Sequence, residues 1–270
     1  MGNKVKLFII DPQVDFCDPK GNLYVPGADK DISRLAKMIN KNIDEISDIN
    51  ITLDSHNYVH IAHPTWWIDS KGNHPDPFTI IDVDSVKKGT WKSYNTAFQE
   101  RSVKYVEALQ ANGRYVLVIW PYHCLIGTPG HNVMPELMDS LLNWEKKFNL
   151  VNKVTKGSNM FTEHYSAVKA DVIDPQDRTT MLNEKLVDAL KEGDEDILIA
   201  GEALSHCVCQ TIRDVADEFS DEQVKRFVLL EDACSNVATF EQFGQDFIND
   251  MTAKGMQISQ TDKYFNSVLA

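Results

Sequence analysis

Cys207 is the residue of this sequence with the most reactive setting. It stands where a short apolar run, Ile197-Leu198-Ile199-Ala200, passes through Gly201 to His206 into a helical pattern of Val208, Ile212, Val215 and Phe219. A thiol attacks as its thiolate, and a helix N-terminus with a cation nearby favours that form. Lys156, before Gly157 at the end of the run 151–155, supplies the cation, and Asp11, directly after Leu7-Phe8-Ile9-Ile10, supplies a proton acceptor. The tight turn from Glu202 to Cys207 also aims backbone N–H groups at a developing oxyanion. Each residue has a plain alternative: Asp11 as a turn cap, Lys156 as a surface lysine, Cys207 as a small core residue. Taken together they are nucleophile, base, cation and oxyanion donors, the set that acyl transfer needs.

A second cluster is Asp54-Ser55-His56, with His60 and His63 shortly after it and His123 in Trp120-Pro-Tyr-His-Cys124. A carboxylate with two or more imidazoles suits zinc, iron or manganese and leaves room for water if three protein ligands bind. A fourth histidine fits at either His60 or His63. His74, His131 and His164 read as surface or loop residues.

These groups lie far apart in the chain, so the fold must gather them. Short β-rich apolar runs alternate with amphipathic helical stretches: strands at 7–10, 49–53, 115–120, 151–155, 197–200 and 227–230. Helical spacing links Ile32, Leu35, Ile39, Ile43 and Ile46, and recurs over 102–112, 134–144, 180–191, 208–219 and 240–251. Such alternation predicts a three-layer α/β/α architecture with a mostly parallel sheet of about six strands, and ligand groups at the carboxyl ends of those strands. Asp11, Asp54, His123, Lys156, Cys207 and Asp232 occupy those ends. The stretch from His63 to Ser93, rich in Pro, Gly, Asp and Trp, reads as a long covering loop. No linker divides residues 1–270, and the stretch after about Asp250 carries no usable motif.

Composition bounds the partners. The chain has 270 residues, 27 Lys and Arg against 40 Asp and Glu, and a formal charge of −13. That acidity disfavours nucleic-acid backbones and anionic membranes as partners. The apolar run 5–10 is too short for a secretory signal, and none approaches the ~20 residues of a membrane span. Five cysteines without framework spacing are expected to be reduced thiols in a cytoplasmic protein.

The ordered blocks resemble the isochorismatase-like cysteine hydrolases, and among them the nicotinamidase-like members. Ile9-Ile-Asp-Pro-Gln-Val-Asp-Phe16 resembles the family's opening strand. Leu53-Asp-Ser-His56 resembles its metal motif, and Trp120-Pro-Tyr-His-Cys-Leu-Ile-Gly-Thr-Pro-Gly130 the segment with a further metal histidine. Lys156-Gly157, with Tyr165-Ser166-Ala167 after it, resembles the lysine motif, and Gly201-Glu-Ala-Leu-Ser-His-Cys-Val208 the nucleophile loop. The resemblance runs from residue 5 to about 235. It implies a triad of Asp11, Lys156 and Cys207, a cis peptide at Glu202–Ala203, and an oxyanion hole from the N–H groups of Ala203 and Cys207. It further implies metal ligands Asp54, His56 and His123, with His60 or His63 as a fourth, and Phe16 and Trp120 sandwiching a flat ring. The implied metal is divalent, zinc first, with iron or manganese as alternatives. The implied activity is hydrolysis of a small carboxamide, nicotinamide foremost, with a carbamoyl or ureido compound or an isochorismatase-like reaction as alternatives. A homo-oligomer is compatible with this reading. One departure stands out: more than sixty residues, 57–119, separate the metal motif from Trp120 and read as an insertion.

Overall fold

The computed structural model of the chain describes residues 4–267; residues 1–3 and 268–270 of the expected domain lie outside the described residues. Six strands form one parallel sheet: β1 (Val5–Ile10), β2 (Ile46–Asp54), β3 (Asn152–Lys156), β4 (Asp196–Gly201), β5 (Phe227–Leu230) and β6 (Gln257–Ser259). Their spatial order is β6-β5-β4-β1-β2-β3. Strand β1 is therefore flanked by β2 and β4, with Ile9 beside both Ile51 and Ala200. The chain winds outward from β1 to β3, returns to the other side at β4, and winds outward again. That reversal between β1 and β4 opens a crevice at the carboxyl ends.

Side chains alternate across the strands, and the two faces bury different helices. Leu7, Ile9, Ile49, Ile51, Leu198 and Val228 pack on one face against α1 (Ala28–Lys41) and a helix of residues Pro135–Glu145. Phe8, Ile10, Ile197, Ile199, Phe227 and Leu229 pack on the other. In chain order, the helix Gln99–Asn112 is α2, Pro135–Glu145 is α3, Glu184–Lys191 is α4, Cys209–Asp217 is α5 and Glu241–Ala253 is α6. Helices α2, α4, α5 and α6 cover that second face. The expected α/β/α layering is therefore present. Lys6, buried inside β1, spends its ammonium on Ala189 O and Glu192 O at 2.8 and 2.6 Å, where cationic charge suits the carboxyl end of α4.

Three boundaries differ from the sequence reading. Helix α1 ends at Lys41, because the Asn42 backbone N–H and side-chain amide both bond to Met38 O, and Ile46 opens β2 instead of extending the helix. The run 115–120 is not in the main sheet. Only Leu117–Val118 is strand, paired antiparallel with Ile80–Ile81, and Trp120 N donates to Ala62 O. The sixth strand is β6, from the stretch without a motif. The segment 63–93 is also less loop-like than expected. It holds short strands and turns of helix, and Trp66 and Trp67 are buried in the same core as α2. Among the described residues no helix is long and apolar enough to cross a membrane.

Candidate active site

The strand ends bring four predicted residues into contact. Lys156, the last residue of β3, places Nζ 2.9 Å from Asp11 Oδ2, 3.0 Å from Asp54 Oδ1, 3.0 Å from His164 O and 3.5 Å from Cys207 Sγ. Asp11 follows β1 with a φ of 44°, a left-handed conformation that a non-glycine residue adopts only when its surroundings impose it. Thr52 imposes it. Its Oγ1 accepts from Asp11 N at 3.0 Å and donates to Asp11 Oδ1 at 2.5 Å. Thr52 and Asp54 are two apart on β2, so both side chains leave the same face toward the site. Gly157 permits the close approach: its φ is 82°, and a Cβ there would meet Asp54 Oδ1 at 2.9 Å.

The charges are strongly coupled. Burial pushes the Asp54 carboxyl up, but His56 and Lys156 beside it overcome that and hold it well below the usual range. Burial likewise opposes the Lys156 charge, and Asp11 and Asp54 restore it, so the ammonium persists far into alkaline pH. Asp11 is raised, by burial first, with Lys156 acting against it. Cys207 departs from the expectation of a resting thiolate. Burial pushes its pKa well up, and the pull of Lys156 is offset by the carboxylates of Asp11 and Asp54. The resting sulfur is a thiol, poised beside a base.

The nucleophile loop runs from Gly201 through a cis Glu202–Ala203 peptide into one turn of π-helix, Leu204–Val208, which leads into α5. Gly201 has a φ of 113°, and a Cβ there would strike Ile10 O at 2.0 Å, so only glycine lets β4 close on β1 at this point. Within the turn, Leu204 N donates to Ser235 O, and His206 N and Val208 N donate to Ala203 O. This leaves the N–H groups of Ala203 and Cys207 as candidates for an oxyanion.

The second predicted cluster also assembles. Ligating atoms of Asp54, His56 and His123 lie within 4.8 Å of one another, as do those of His56, His60 and His63. His56 Nε2 and His123 Nε2 stand 2.9 and 3.3 Å from Asp54 Oδ2. Ligand bonds of about 2.0–2.1 Å at tetrahedral angles separate neighbouring donor atoms by about 3.3 Å, so this spacing fits a divalent ion. Hydrogen bonding separates the two candidates for a fourth ligand. His123 Nδ1 faces Pro121 O and His63 Nδ1 faces Tyr58 O, which turns the lone pair of each ring onto Nε2. His63 Nε2 is buried and has no partner. Both ring nitrogens of His60 are engaged, Nδ1 by Ala62 N and Nε2 by Thr162 O. His63 therefore keeps a free ring nitrogen where His60 has none, but it groups with His56 and His60 and not with Asp54 and His123.

Phe16, Trp120, Tyr165, His206 and Cys207 line a cavity of about 30 Å³, with Lys156, Asp54 and His123 at its polar end. A space that size holds about two waters, so a six-membered ring enters only as lining side chains give way. Trp120 is held by its Nε1–H bond to Tyr165 OH at 3.0 Å. Asp232 does not come to the site; its carboxylate binds Thr261 N and Oγ1 at the start of the turn after β6. His164, read as a surface or loop residue, is in a loop but buried, with Nδ1 accepting from Gly157 N at 3.2 Å.

Several supporting residues escaped the sequence reading. Gln13 clamps Asp54 from both sides, Nε2 donating to its carbonyl and Oε1 accepting from its N–H, each at 2.7 Å. Asp15 accepts from Cys124 N at 2.6 Å and so ties the Phe16 turn to the His123 segment. Glu163 lines the cavity and leaves Oε2 buried without a partner. Gln13 and Asp15 belong to the opening block, which was the one available signal for them.

No protein-family model matches the chain. The nicotinamidase of Saccharomyces cerevisiae is 25% identical over 213 residues, covering 78% of this chain and 81% of that protein. The structure of the yeast nicotinamidase bound to the inhibitor nicotinaldehyde superposes with a TM-score of 0.66 at 18% identity, covering 94% of this chain and 99% of that one. A nicotinamidase/pyrazinamidase of Acinetobacter baumannii gives 0.62 at 23% identity, covering 97% and 98%. The pyrazinamidase of Pyrococcus horikoshii in complex with zinc gives 0.57 at 20%, covering 95% and 99%. At these identities the superpositions speak for the fold, and the sequence match to the yeast protein adds kinship. The chain is thus similar in sequence to the yeast nicotinamidase and has the fold of the nicotinamidases and pyrazinamidases of known structure.

Proposed function

We propose that the protein is a metal-containing cysteine amidohydrolase that cleaves a small aromatic carboxamide, nicotinamide foremost, to the acid and ammonia. The observation that carries this reading is the buried contact of Lys156 Nζ with both Asp11 Oδ2 and Cys207 Sγ at the end of an aromatic-lined cavity. Relatives named for nicotinamide and pyrazinamide support the choice of substrate.

Asp11 takes the thiol proton as Cys207 sulfur forms its bond to the amide carbon. The Lys156 ammonium offsets the charge that passes through sulfur, and the Ala203 and Cys207 N–H groups receive the carbonyl oxygen as it becomes an oxyanion. Asp11 returns its proton to the amide nitrogen, the C–N bond breaks, ammonia leaves and a thioester remains. Water then attacks the thioester, Asp11 accepting its proton and passing it to the departing sulfur. Phe16 and Trp120 hold the ring between them while the amide reaches the thiol. Asp54, His56 and His123 would hold a divalent ion, zinc first, with His63 closing on it as a fourth ligand, and the ion would supply a Lewis-acidic anchor for a ring nitrogen.

Ammonia release from nicotinamide by purified protein, with and without chelator and beside Cys207→Ala, tests the reading. Cys207-dependent release is expected, with substrate binding retained in the variant. Near-normal turnover by Cys207→Ala would sink the scheme, and no release from metal-loaded wild type would move the substrate to another amide.

A further inference from the structure

Ala203 is held in place from behind by one residue. Ser235 N donates to Glu202 Oε2 at 3.0 Å, and Ser235 O accepts from Leu204 N at 2.8 Å. The residues on either side of Ala203 are thus pinned to the same serine. Ser235 is itself anchored to α1, its Oγ donating to Asp31 Oδ2 at 2.5 Å. Gly27 allows this approach, since a Cβ there would stand 2.8 Å from Ser235 Oγ.

Glu202 and Asp31 are both buried, and their charges are poorly balanced. Asp31 accepts from Ser235 Oγ and from Arg34 Nη2, the latter also at 2.5 Å. Glu202 Oε2 accepts from Ser235 N, its Oε1 is buried with no donor, and its carboxyl lies close enough to that of Asp31 for each to shift the other. Arg34 is the cation facing the pair; it is 40% exposed and shared with Asp232, whose Oδ2 lies 3.8 Å from Arg34 Nε. The remaining titratable neighbours are the Cys17 and Cys234 thiols, both pushed up by burial and then by Glu202 and Asp31, and Asp29 farther along α1. Two buried carboxylates with one partial counter-charge do not both ionise; one keeps its proton. Glu202 has fewer donors, and burial followed by Asp31 raises its pKa well above the carboxylate range.

We propose that Glu202, Ser235 and Asp31 form a proton-holding brace in which Glu202 is a neutral carboxylic acid, and that this brace sets the pose of the Ala203 N–H. Glu202 is a positioning residue, acting through Ala203 and touching no substrate. Ionising it sets a second negative charge against Asp31, and the repulsion drives apart the two carboxyls that meet on Ser235. The oxyanion donor then drifts, and activity falls on the alkaline side for a reason separate from the triad. The functional half of this inference rests on the amidohydrolase reading.

The test compares kcat and KM of wild type, E202Q and E202A from neutral to alkaline pH, with an infrared measurement of the carboxylic-acid carbonyl band at neutral pH. Glutamine mimics the protonated acid, so E202Q is expected to keep the neutral-pH rate and lose the alkaline fall. E202A is expected to lower kcat about tenfold or more with KM little changed, in keeping with the cost of a misplaced oxyanion donor. If E202A does not fold, D31N serves: with the second charge gone, the alkaline fall should again disappear. An alkaline limb in E202Q that superimposes on wild type overturns the proposal, as does a neutral-pH loss in E202Q equal to that of E202A. Asp171 is a second buried carboxyl, its pKa raised to about 7, so the band is read as a difference: the component lost from wild type to E202Q should be that of one carboxylic acid, and a difference spectrum without it also overturns the brace. That component present without nicotinamide turnover would strike the substrate reading and leave the brace standing.

Discussion

Replacing Lys156 with methionine keeps much of the side-chain volume and removes one buried charge, so its consequence follows from the surrounding geometry. Lys156 Nζ lies 2.9 Å from Asp11 and 3.0 Å from Asp54, all three nearly inaccessible to water. At 3 Å and an effective dielectric of 20, each attraction is about 5–6 kcal/mol before desolvation is subtracted. Breaking such a buried cluster by removing one partner typically costs about 3–5 kcal/mol, because the carboxylates left behind are uncompensated. A 270-residue chain unfolds with an entropy of roughly 0.57 kcal/mol/K, so the melting temperature should fall by about 5–9 °C. Calorimetry on metal-stripped protein is the assay, since a bound ion would compensate Asp54. The sign with pH is set by Asp54, whose folded pKa lies well below its unfolded value: its stability is present above the unfolded value and lost as pH falls through the folded one. In Lys156→Met both carboxyls take up protons more readily, so the deficit is largest at neutral pH and narrows on acidification. A melting temperature within about 1 °C of wild type at neutral pH would refute the reasoning. It would mean that burying the cluster costs as much as its attractions return.

The metal set and the base give two further expectations. His63→Ala should weaken divalent-ion binding by about 10–100-fold in titration calorimetry, while His60→Ala, whose ring nitrogens are already bonded to Ala62 and Thr162, should change it little; equal losses would dismiss the choice of His63. Asp11 must be ionised to accept the thiol proton, so kcat/KM should fall as pH drops through its raised pKa, above the usual carboxylate value of 3.8. Thr52→Val removes the hydroxyl that favours the charged form, and should move that acid limb to higher pH; an unmoved limb would assign it to another group.

The layering and the strand-end residues were legible because both follow from local pattern. Buried parallel strands read as short apolar runs, and the polar residue ending each run marks the edge where the crevice opens. That logic located Asp11, Asp54, Lys156 and Cys207. It misled at 115–120, where an equally apolar run pairs with Ile80–Ile81, and at Asp232, which ends β5 but serves the turn after β6. It passed over β6, in which Gln257 and Ile258 are exposed and no apolar run marks the edge strand.

What the order of residues determined by itself is the inventory: which chemical groups stand at which strand ends, and hence that a thiol, a base, a cation and an imidazole cluster belong to one face. Tertiary structure decided how those groups behave. That the Cys207 thiol rests protonated, that His63 and not His60 keeps a free ring nitrogen, and that Glu202 holds its proton behind Ala203 all depend on burial and on partners between 5 and more than 200 residues away, such as Tyr58 for His63 and Asp31 for Ser235. A charge is stabilised or suppressed by the groups within a few ångströms of it and by the water it has lost. Neither quantity exists until the chain has folded.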